Sequence, residues 1–343
     1  MRKIRVLVVE DSMLFRELLV QNLNRDPGIE VVAAARDPFE ARDMILKYQP
    51  DVMTLDIELP RMNGIEFLQK LMPQYPLPVV MISSLSDRVF DAMNAGAVEF
   101  VAKPSATNRQ EIEEFIRNEL PVKIKIASVA KIRRAPRGDN AANGLRRMAS
   151  AECELIAIGA STGGTEATAE LLKGLHNDVP GIVIVQHMPA GFTELYANRL
   201  NERGELEVRE AKNGDVVRPG LALLAPGGDQ HMKLIKQDNE YKVVLKKAPK
   251  VNGHCPSVDV LFHSVAEVVG RNAMGVILTG MGGDGAKGLL EMRKKGARTV
   301  GQDESTCVVY GMPKVAYDIG AVEYQEKLPN ISSRIYSILN NKA

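Results

Sequence analysis

Two sets of residues in this sequence of 343 residues combine side-chain types and spacings that can carry chemistry. In the first set, carboxylates and one lysine stand at or just after the ends of short apolar runs, at Glu10, Asp11, Asp56 and Lys103. In the second set, a serine, a histidine and an aspartate follow three further apolar runs, at Ser161, His187 and Asp284. The first set is typical of a cation and phosphoryl site, and the second is typical of nucleophilic hydrolysis.

The first set is expected to converge on one acidic pocket. Glu10 and Asp11 follow a predicted strand at 4–9, and Asp56 ends a predicted strand at 51–56. The carboxyl ends of strands in an open parallel α/β sheet line the crevice in which ligands bind. Clustered carboxylates are costly without a cation, and Mg²⁺ prefers oxygen ligands, so these three residues predict a Mg²⁺ site. A carboxylate there can act as nucleophile toward a phosphoryl group.

Two further strand-end residues suit that phosphoryl group. Lys103 follows the fifth predicted strand and can pair with it, and Ser83, which ends the fourth, can donate a hydrogen bond to it. The alternative is that acidic residues at strand ends cap the helices that follow. Capping is the better explanation for Asp11 or Asp56 alone, but five such positions at strand ends favour the pocket.

Ser161 lies in the segment Gly-Ala-Ser-Thr-Gly-Gly at 159–164, between a predicted strand and a predicted helix. Small neighbours let the chain turn sharply and expose the hydroxyl at a helix N-terminus, where unpaired N–H groups can stabilise an oxyanion. The segment also matches GxSxG, the nucleophile-elbow pattern. By itself it is a weak signal, since such a turn can also bind phosphate and a serine N-cap is commoner.

The positions of His187 and Asp284 strengthen the hydrolase interpretation, because each follows a predicted strand, at 181–186 and 273–278. The three side chains can meet at one edge of a sheet. Ser161 would attack, His187 would take and return the proton, and Asp284 would fix the imidazole tautomer. No cofactor is expected for this hydrolysis. The order Ser, His, Asp differs from the Ser, Asp, His order of α/β-hydrolases and predicts a different fold.

The other four histidines are not assigned to the triad. His176 lies in a polar loop, His231 opens a predicted hairpin and His263 lies within a predicted helix, which favours surface or packing roles. His254 precedes a predicted helix start with Ser257 as N-cap. The sequence does not favour a place in the pocket for His254.

The elements that position these residues form two alternating patterns. Strands at 4–9, 31–35, 51–56, 79–83 and 99–101 alternate with helical stretches, which predicts a flavodoxin-like, five-stranded parallel (βα)5 domain at 1–120. A second alternation predicts a doubly wound, mostly parallel α/β domain at 151–343. Within it, alternating apolar and charged residues at 232–247 predict an antiparallel hairpin that turns near 238–239.

Residues 121–150 are predicted to be a basic linker, because they hold 8 Lys and Arg against 1 Asp and lose helical periodicity after Ile132. A docking strip for acidic receptor helices is one interpretation of this charge. An extended, solvated tether is the favoured one.

Composition excludes several other classes. A net charge of +1 gives the protein no overall electrostatic attraction to nucleic acid or to a membrane surface. Three cysteines at long spacings predict no disulfide framework. The short apolar run near the start is not expected to act as a signal peptide, and no apolar run approaches membrane-spanning length. These features predict a cytoplasmic protein, expected to be a monomer without nucleic-acid binding or membrane insertion.

Residues 1–120 resemble the response-regulator receiver domain at Glu10, Asp11, Asp56, Ser83, Phe100, Lys103 and Pro104. The resemblance implies that Asp56 accepts phosphate from a partner histidine kinase with Mg²⁺. It also implies that Ser83 and Phe100 form a switch pair that reports phosphorylation to a neighbouring surface.

Residues 151–343 resemble the catalytic domain of the CheB methylesterase family of bacterial chemotaxis. The matching segments are 158–164, 186–188, 225–228, 254–262 and 279–285. The resemblance implies phosphorylation-activated hydrolysis of glutamyl methyl esters on chemotaxis receptors and deamidation of receptor glutamines, with Thr162 and Met281 in the oxyanion hole. The sequence departs from the family at Cys255, where many members carry Arg.

Two rival functions agree less well with the sequence. A DNA-binding response regulator needs a basic output domain with a recognition helix, whereas residues 151–343 are close to neutral. A nucleotide-binding module could use 159–164 as a phosphate loop, but that loop lacks the P-loop lysine, and no acidic residue stands at the expected ribose position.

Overall fold

A computed structural model describes residues 2–84, 88–104, 109–132 and 153–340. The chain divides into two compact units, Met1–Ala135 and Pro136–Ala343. Within the described ranges, no helix combines the length and the apolar character that crossing a lipid bilayer requires.

The first unit is a five-stranded parallel sheet with helices, which confirms the predicted fold class. Its strand order is β2-β1-β3-β4-β5, with strands β1 (Ile4–Val9), β2 (Ile29–Ala35), β3 (Val52–Asp56), β4 (Val79–Ser83) and β5 (Glu99–Ala102). The helices are α1 (Met13–Leu23), α2 (Pro38–Tyr48), α3 (Gly64–Leu71), α4 (Arg88–Asn94), α5 (Arg109–Asn118) and α6 (Leu120–Ser128). Strands β3 and β4 are buried along their whole length, as strands covered on both faces must be.

Helix α6 covers the first part of the segment 121–150 that the sequence predicted to be a linker. Leu120, Ile124 and Ala127 are buried along one side of this helix, and the helix packs against β3, β4 and β5. Two of the segment's positive charges are paired, since Lys123 contacts Glu99 at 3.1 Å and Lys125 contacts Asp26 at 2.6 Å. Residues 133–150 of the predicted linker lie outside the described residues.

The second unit contains a seven-stranded parallel sheet and a separate hairpin. The sheet order is β14-β13-β12-β6-β7-β9-β8. Its strands are β6 (Leu155–Ala160), β7 (Gly181–Gln186), β8 (Glu207–Glu210), β9 (Leu221–Leu224), β12 (Ala273–Ile277), β13 (Arg298–Gln302) and β14 (Tyr324–Glu326). The antiparallel hairpin pairs β10 (Gln230–Gln237) with β11 (Glu240–Lys247), which confirms the predicted hairpin.

The sequence missed the two edge strands, β8 and β14. They are only four and three residues long, and their sequences, EVRE and YQE, carry little apolar patterning. These segments are strands because each pairs with one neighbouring strand at an edge of the sheet. They are not buried on both faces as the central strands are.

The helices of the second unit are α7 (Gly164–Lys173), α8 (Phe192–Asn201), α9 (Val258–Val268), α10 (Ala286–Lys294), α11 (Met312–Asp318) and α12 (Leu328–Asn340). The core between the sheet and helices α9 and α10 includes Leu155 and Val183 from the strands and Phe262 and Leu289 from the helices.

The strand order reverses beside β6. The chain continues from β6 to β7 on one side and later returns to β12 on the other side. Such a switch point opens a crevice at the carboxyl ends of the two strands. The predicted catalytic residues lie on the loops that leave this edge of the sheet.

Candidate active site

Ser161 immediately follows β6 and is 9% exposed. Its N–H donates to the carbonyl of Thr279 at 3.0 Å, and its carbonyl accepts from the N–H of Gly164 at 2.7 Å. The Gln186 amide nitrogen donates to the same carbonyl at 2.8 Å. These bonds fix the backbone turn that carries the hydroxyl.

His187 occupies the equivalent position after the neighbouring strand. Ala160 on β6 pairs with Gln186 on β7, so Ser161 and His187 leave the sheet side by side. The Nε2 atom of His187 lies 2.9 Å from Oδ2 of Asp284. Within the described part of the chain, His187 Nδ1 is buried without a hydrogen-bond partner. The structure thus brings the three predicted residues to one crevice and leaves Nδ1 as the ring nitrogen available to a proton donor.

Asp284 is 1% exposed and is held by several donors. Its Oδ2 also accepts from the Val258 N–H at 2.7 Å, and its Oδ1 accepts from Ser257 Oγ at 2.8 Å and Asn252 Nδ2 at 2.7 Å. Burial by itself raises the pKa of this carboxyl, but the bonds from His187, Asn252 and Ser257 outweigh it and hold the pKa well below its usual range. Asp284 therefore faces His187 as a carboxylate.

His254 lies in the site, which the sequence did not favour. Its ring stacks on His187 with centroids 3.7 Å apart and planes at 6°. His254 ends a tight turn at 251–254. In this turn the N–H of Val251 donates to the carbonyl of His254, and the N–H of His254 donates to the carbonyl of Val251. The Asn252-Gly253 pair at its centre, with φ of 53° and 84°, is the sequence signal that could have identified this turn.

The remaining histidines lie elsewhere. His231 is buried, with its Nδ1 accepting from the Ser257 N–H at 3.1 Å. His176 contacts Glu205 at 3.0 Å, and His263 is exposed on α9.

The predicted oxyanion-hole residues flank Ser161. Thr162 follows it and is 3% exposed. Met281 follows Gly280, and a Cβ at position 280 would lie 2.7 Å from the Cβ of Ser161. Only glycine permits this approach. Met281 is the next residue after this close approach of Gly280 to Ser161. Its backbone N–H has no hydrogen-bond partner among the described residues.

The acidic pocket of the first unit is assembled as predicted from the strand ends. Lys103 Nζ lies 3.0 Å from both carboxylate oxygens of Glu10 and 2.7 Å from Oδ2 of Asp56. Oxygen atoms of Glu10, Asp11 and Asp56 lie within 4.8 Å of one another. Three clustered carboxylate oxygens are ligands that a hard divalent cation prefers, so this donor set fits Mg²⁺.

The electrostatics of this pocket are strongly coupled. Burial, and then the charge of Asp56, raise the pKa of Glu10 to about 7. Burial also disfavours the charged form of Lys103, but its bonds to Asp56 and Glu10 outweigh that effect and raise the pKa of its ammonium group. Lys103 therefore remains a cation between two carboxyl groups.

The two predicted switch residues are both buried. Ser83 ends β4, and its hydroxyl donates to the carbonyl of Ser84 at 2.9 Å. Phe100 on β5 packs edge-on against Phe90, with centroids 6.4 Å apart.

Comparison with known proteins finds similarity in both units. The family model "CheB methylesterase" matches residues 156–335, and "Response regulator receiver domain" matches residues 6–117.

Two curated relatives span the whole chain. The protein-glutamate methylesterase/protein-glutamine glutaminase 2 of Syntrophomonas wolfei is 58% identical, with 99% of each chain covered. The protein-glutamate methylesterase/protein-glutamine glutaminase of Syntrophotalea carbinolica is 50% identical, again with 99% of each chain covered. Among solved structures, the Thermotoga maritima CheB methylesterase catalytic domain is 37% identical with a TM-score of 0.53, covering 54% of this chain and 98% of that one.

Proposed function

The chain belongs to the CheB methylesterase family and carries a response regulator receiver domain, and from this premise we propose that it hydrolyses glutamyl methyl esters on chemotaxis receptors under phosphorylation control. Membership makes it an enzyme of the protein-glutamate methylesterase and protein-glutamine glutaminase class.

In the first step, Ser161 Oγ attacks the ester carbonyl carbon of the substrate glutamate. The Oγ proton passes to His187 Nδ1, and Asp284 accepts the hydrogen bond from the protonated ring at Nε2. The tetrahedral oxyanion lies near the backbone at Thr162 and Met281, whose N–H groups would stabilise it. His187 then returns its proton to the departing methoxy oxygen, which releases methanol and leaves a glutamyl-serine ester.

In the second step, His187 Nδ1 takes a proton from water, and the resulting hydroxide attacks the glutamyl-serine ester. Collapse of the intermediate returns the proton to Ser161 Oγ and releases the glutamate carboxylate. Deamidation of a glutamine follows the same route, with ammonia as the leaving group in place of methanol.

The observation that carries this mechanism is the orientation of the His187 ring. Nε2 faces Asp284, whereas Nδ1 is buried without a partner among the described residues. A buried ring nitrogen without a partner is costly in a purely structural histidine. Because His187 follows the strand next to the one that carries Ser161, its Nδ1 is placed to accept the Ser161 proton.

In the receiver domain we assign phosphorylation to Asp56. Glu10, Asp11 and Asp56 would hold Mg²⁺, which neutralises charge on the transferred phosphoryl group when bound. Lys103, already bonded to Asp56, would pair with a phosphoryl oxygen, and Ser83 would donate its hydroxyl. A rearrangement of Ser83 and Phe100 would then report phosphorylation. The phosphodonor would be a chemotaxis histidine kinase.

The test is release of methanol from methylated receptor, measured with and without a small-molecule phosphodonor and Mg²⁺. We expect turnover that increases with the phosphodonor, together with labelling of Ser161 by a serine-reactive phosphonate. Absence of methanol release in both conditions would exclude the proposed activity.

A further inference from the structure

The turn at 251–254 contributes a second side chain to the site besides His254. Asn252 and Gly253 occupy its two central positions with left-handed φ values of 53° and 84°. Asparagine and glycine are the residues that tolerate this conformation best. Asn252 is exposed, yet its amide nitrogen lies against two carboxylates of the interior.

The Asn252 amide bridges two carboxylates. Its Nδ2 donates to Asp284 Oδ1 at 2.7 Å and to Asp259 Oδ2 at 2.7 Å. Both carboxylates are buried, with Asp284 1% exposed and Asp259 4% exposed. Only the nitrogen of the amide can face them, because its carbonyl oxygen would be repelled by two anions.

Asp259 has its own structural partner. Its Oδ1 accepts from the Gly288 N–H at the start of α10 at 2.7 Å, and the residue lies in the first turn of α9. Asp259 thus links the first turn of α9 to the start of α10. The Asn252 amide nitrogen donates to both carboxylates, and the Asp259 backbone N–H also donates to Asp284 Oδ1 at 3.3 Å.

We propose that Asn252 is a positioning residue for hydrolysis, which holds the Asp284 carboxylate ionised and oriented toward His187 Nε2. This inference rests on the proposed function of Ser161, His187 and Asp284. Without the bridging amide, repulsion from Asp259 favours protonation or rotation of Asp284. Either change weakens the hydrogen bond that fixes the His187 tautomer and stabilises its imidazolium.

Three variants of the full chain separate this role from a role in shaping the turn. Asn252→Gly removes the amide but tolerates the left-handed backbone. Asn252→Asp keeps nearly the same shape and also tolerates that backbone, but it replaces the donor with a third carboxylate. Asn239→Gly is the matched control, because Asn239 has a φ of 62° in the β10–β11 turn.

The measurements are kcat and KM for methanol release from methylated receptor, and the rate of Ser161 labelling by a fluorophosphonate. Asn252→Gly should lower kcat by roughly tenfold to a hundredfold, the scale of a hydrogen bond to a charged group, with KM unchanged. Asn252→Asp should be slower still, and Asn239→Gly should stay within about twofold of the wild type. Labelling rates should follow the same order.

Asn252→Asp as active as the wild type would overturn the proposal, since it would show that the shape of residue 252 is what matters. Asn252→Gly indistinguishable from Asn239→Gly would also overturn it. If the wild type releases no methanol but Ser161 is labelled, the proposed substrate is wrong and the labelling order still decides the role of Asn252. A wild type inert in both assays would overturn both proposals.

Discussion

At the scale of single residues, the candidate site depends on keeping one carboxylate charged in a buried place. Asp284 accepts hydrogen bonds from His187, Asn252, Ser257 and the start of α9. Isolated burial would neutralise such a group, whereas several donors make the anion the stable form. The same donors link the charge state of Asp284 to the stability of the fold.

Ser161→Ala should leave the fold intact and reduce methyl-ester hydrolysis by about 10⁴-fold or more, the scale observed when a triad nucleophile is removed. The reason is that the Ser161 backbone already makes its hydrogen bonds through N–H and carbonyl groups that alanine retains. Methanol release and circular dichroism would measure the two effects. Activity within tenfold of the wild type would exclude Ser161 as the nucleophile.

Asp284→Asn should reduce hydrolysis strongly, though less than Ser161→Ala, and should also change how stability depends on pH. The pKa of Asp284 is lowered in the folded state, so its stabilising contribution is complete above its unfolded pKa, near 4, and is lost as the pH falls through the folded value. The difference in unfolding free energy between wild type and variant should therefore be larger at pH 7 than at pH 3.

Urea unfolding of the full chain at pH 7, 5 and 3 measures this difference. The control is Asp238→Asn, since Asp238 is an exposed carboxylate in the hairpin turn. A gap between wild type and Asp284→Asn that is constant over this range would contradict the assigned ionisation of Asp284.

At the scale of elements, two glycine-rich loops meet where β6 and β12 end. Position 280 approaches Ser161 so closely that a Cβ there would lie 2.7 Å from the Ser161 Cβ and 2.4 Å from Met312 Sδ. The Gly280 carbonyl also accepts from the N–H groups of Gly311 and Met312 at the start of α11. The loop after β12 is thereby held between the serine turn and α11.

Gly280→Ala should therefore lower kcat by about 10²-fold, the scale of a displacement of roughly 1 Å in a catalytic group, and destabilise the fold by about 1–3 kcal/mol through overpacking. The matched control is Gly204→Ala, because a Cβ at position 204 would meet its nearest atom at 3.7 Å. Steady-state kinetics and chemical denaturation would test both variants. Equal behaviour of the two variants would show that the loop relaxes without moving Ser161.

At the scale of the whole molecule, two compact units with separate chemistry share one chain. The receiver domain holds the proposed phosphorylation site and the second unit holds the proposed hydrolase site. The proposed control therefore requires that phosphorylation of the first unit change the hydrolytic activity of the second. A covalent connection keeps the two units at high effective concentration, so a weak interaction between them can regulate activity.

The unphosphorylated receiver domain should inhibit the hydrolase, and phosphorylation of Asp56 should relieve the inhibition. Residues 151–343 alone should hydrolyse receptor methyl esters faster than the resting full chain. A phosphodonor with Mg²⁺ should accelerate the full chain but neither Asp56→Asn nor the isolated domain. Phosphorylation would have to shift an equilibrium between an inhibited and an active state of the chain. Moving that equilibrium from 1:99 to 99:1 needs about 5.5 kcal/mol of differential stabilisation.

Methanol release from the full chain, Asp56→Asn and the isolated domain, each with and without the phosphodonor, measures this control. If the isolated domain is no faster than the resting full chain, inhibition by the receiver domain is excluded, and phosphorylation must activate by another route such as improved receptor docking.

Local pattern in the sequence was sufficient to predict most of the architecture. Strand positions follow from short apolar runs, and parallel strands bring their carboxyl ends to one edge, so Glu10, Asp56 and Lys103 could be expected to meet before any contact was known. The same reasoning predicted that His187 and Asp284 lie together. Such predictions need only the order of elements and the end of the strand at which a residue stands.

Tertiary packing decided the features that local pattern does not encode. The turn at 251–254 is distant in sequence from the catalytic residues that it contacts. Through this turn, His254 stacks on His187 and Asn252 donates to Asp284. Helix α6 extends into a basic segment because Leu120, Ile124 and Ala127 are buried against the first sheet. The free energy of each of these features comes from contacts between distant segments, and that contribution exists only once the sheet has assembled.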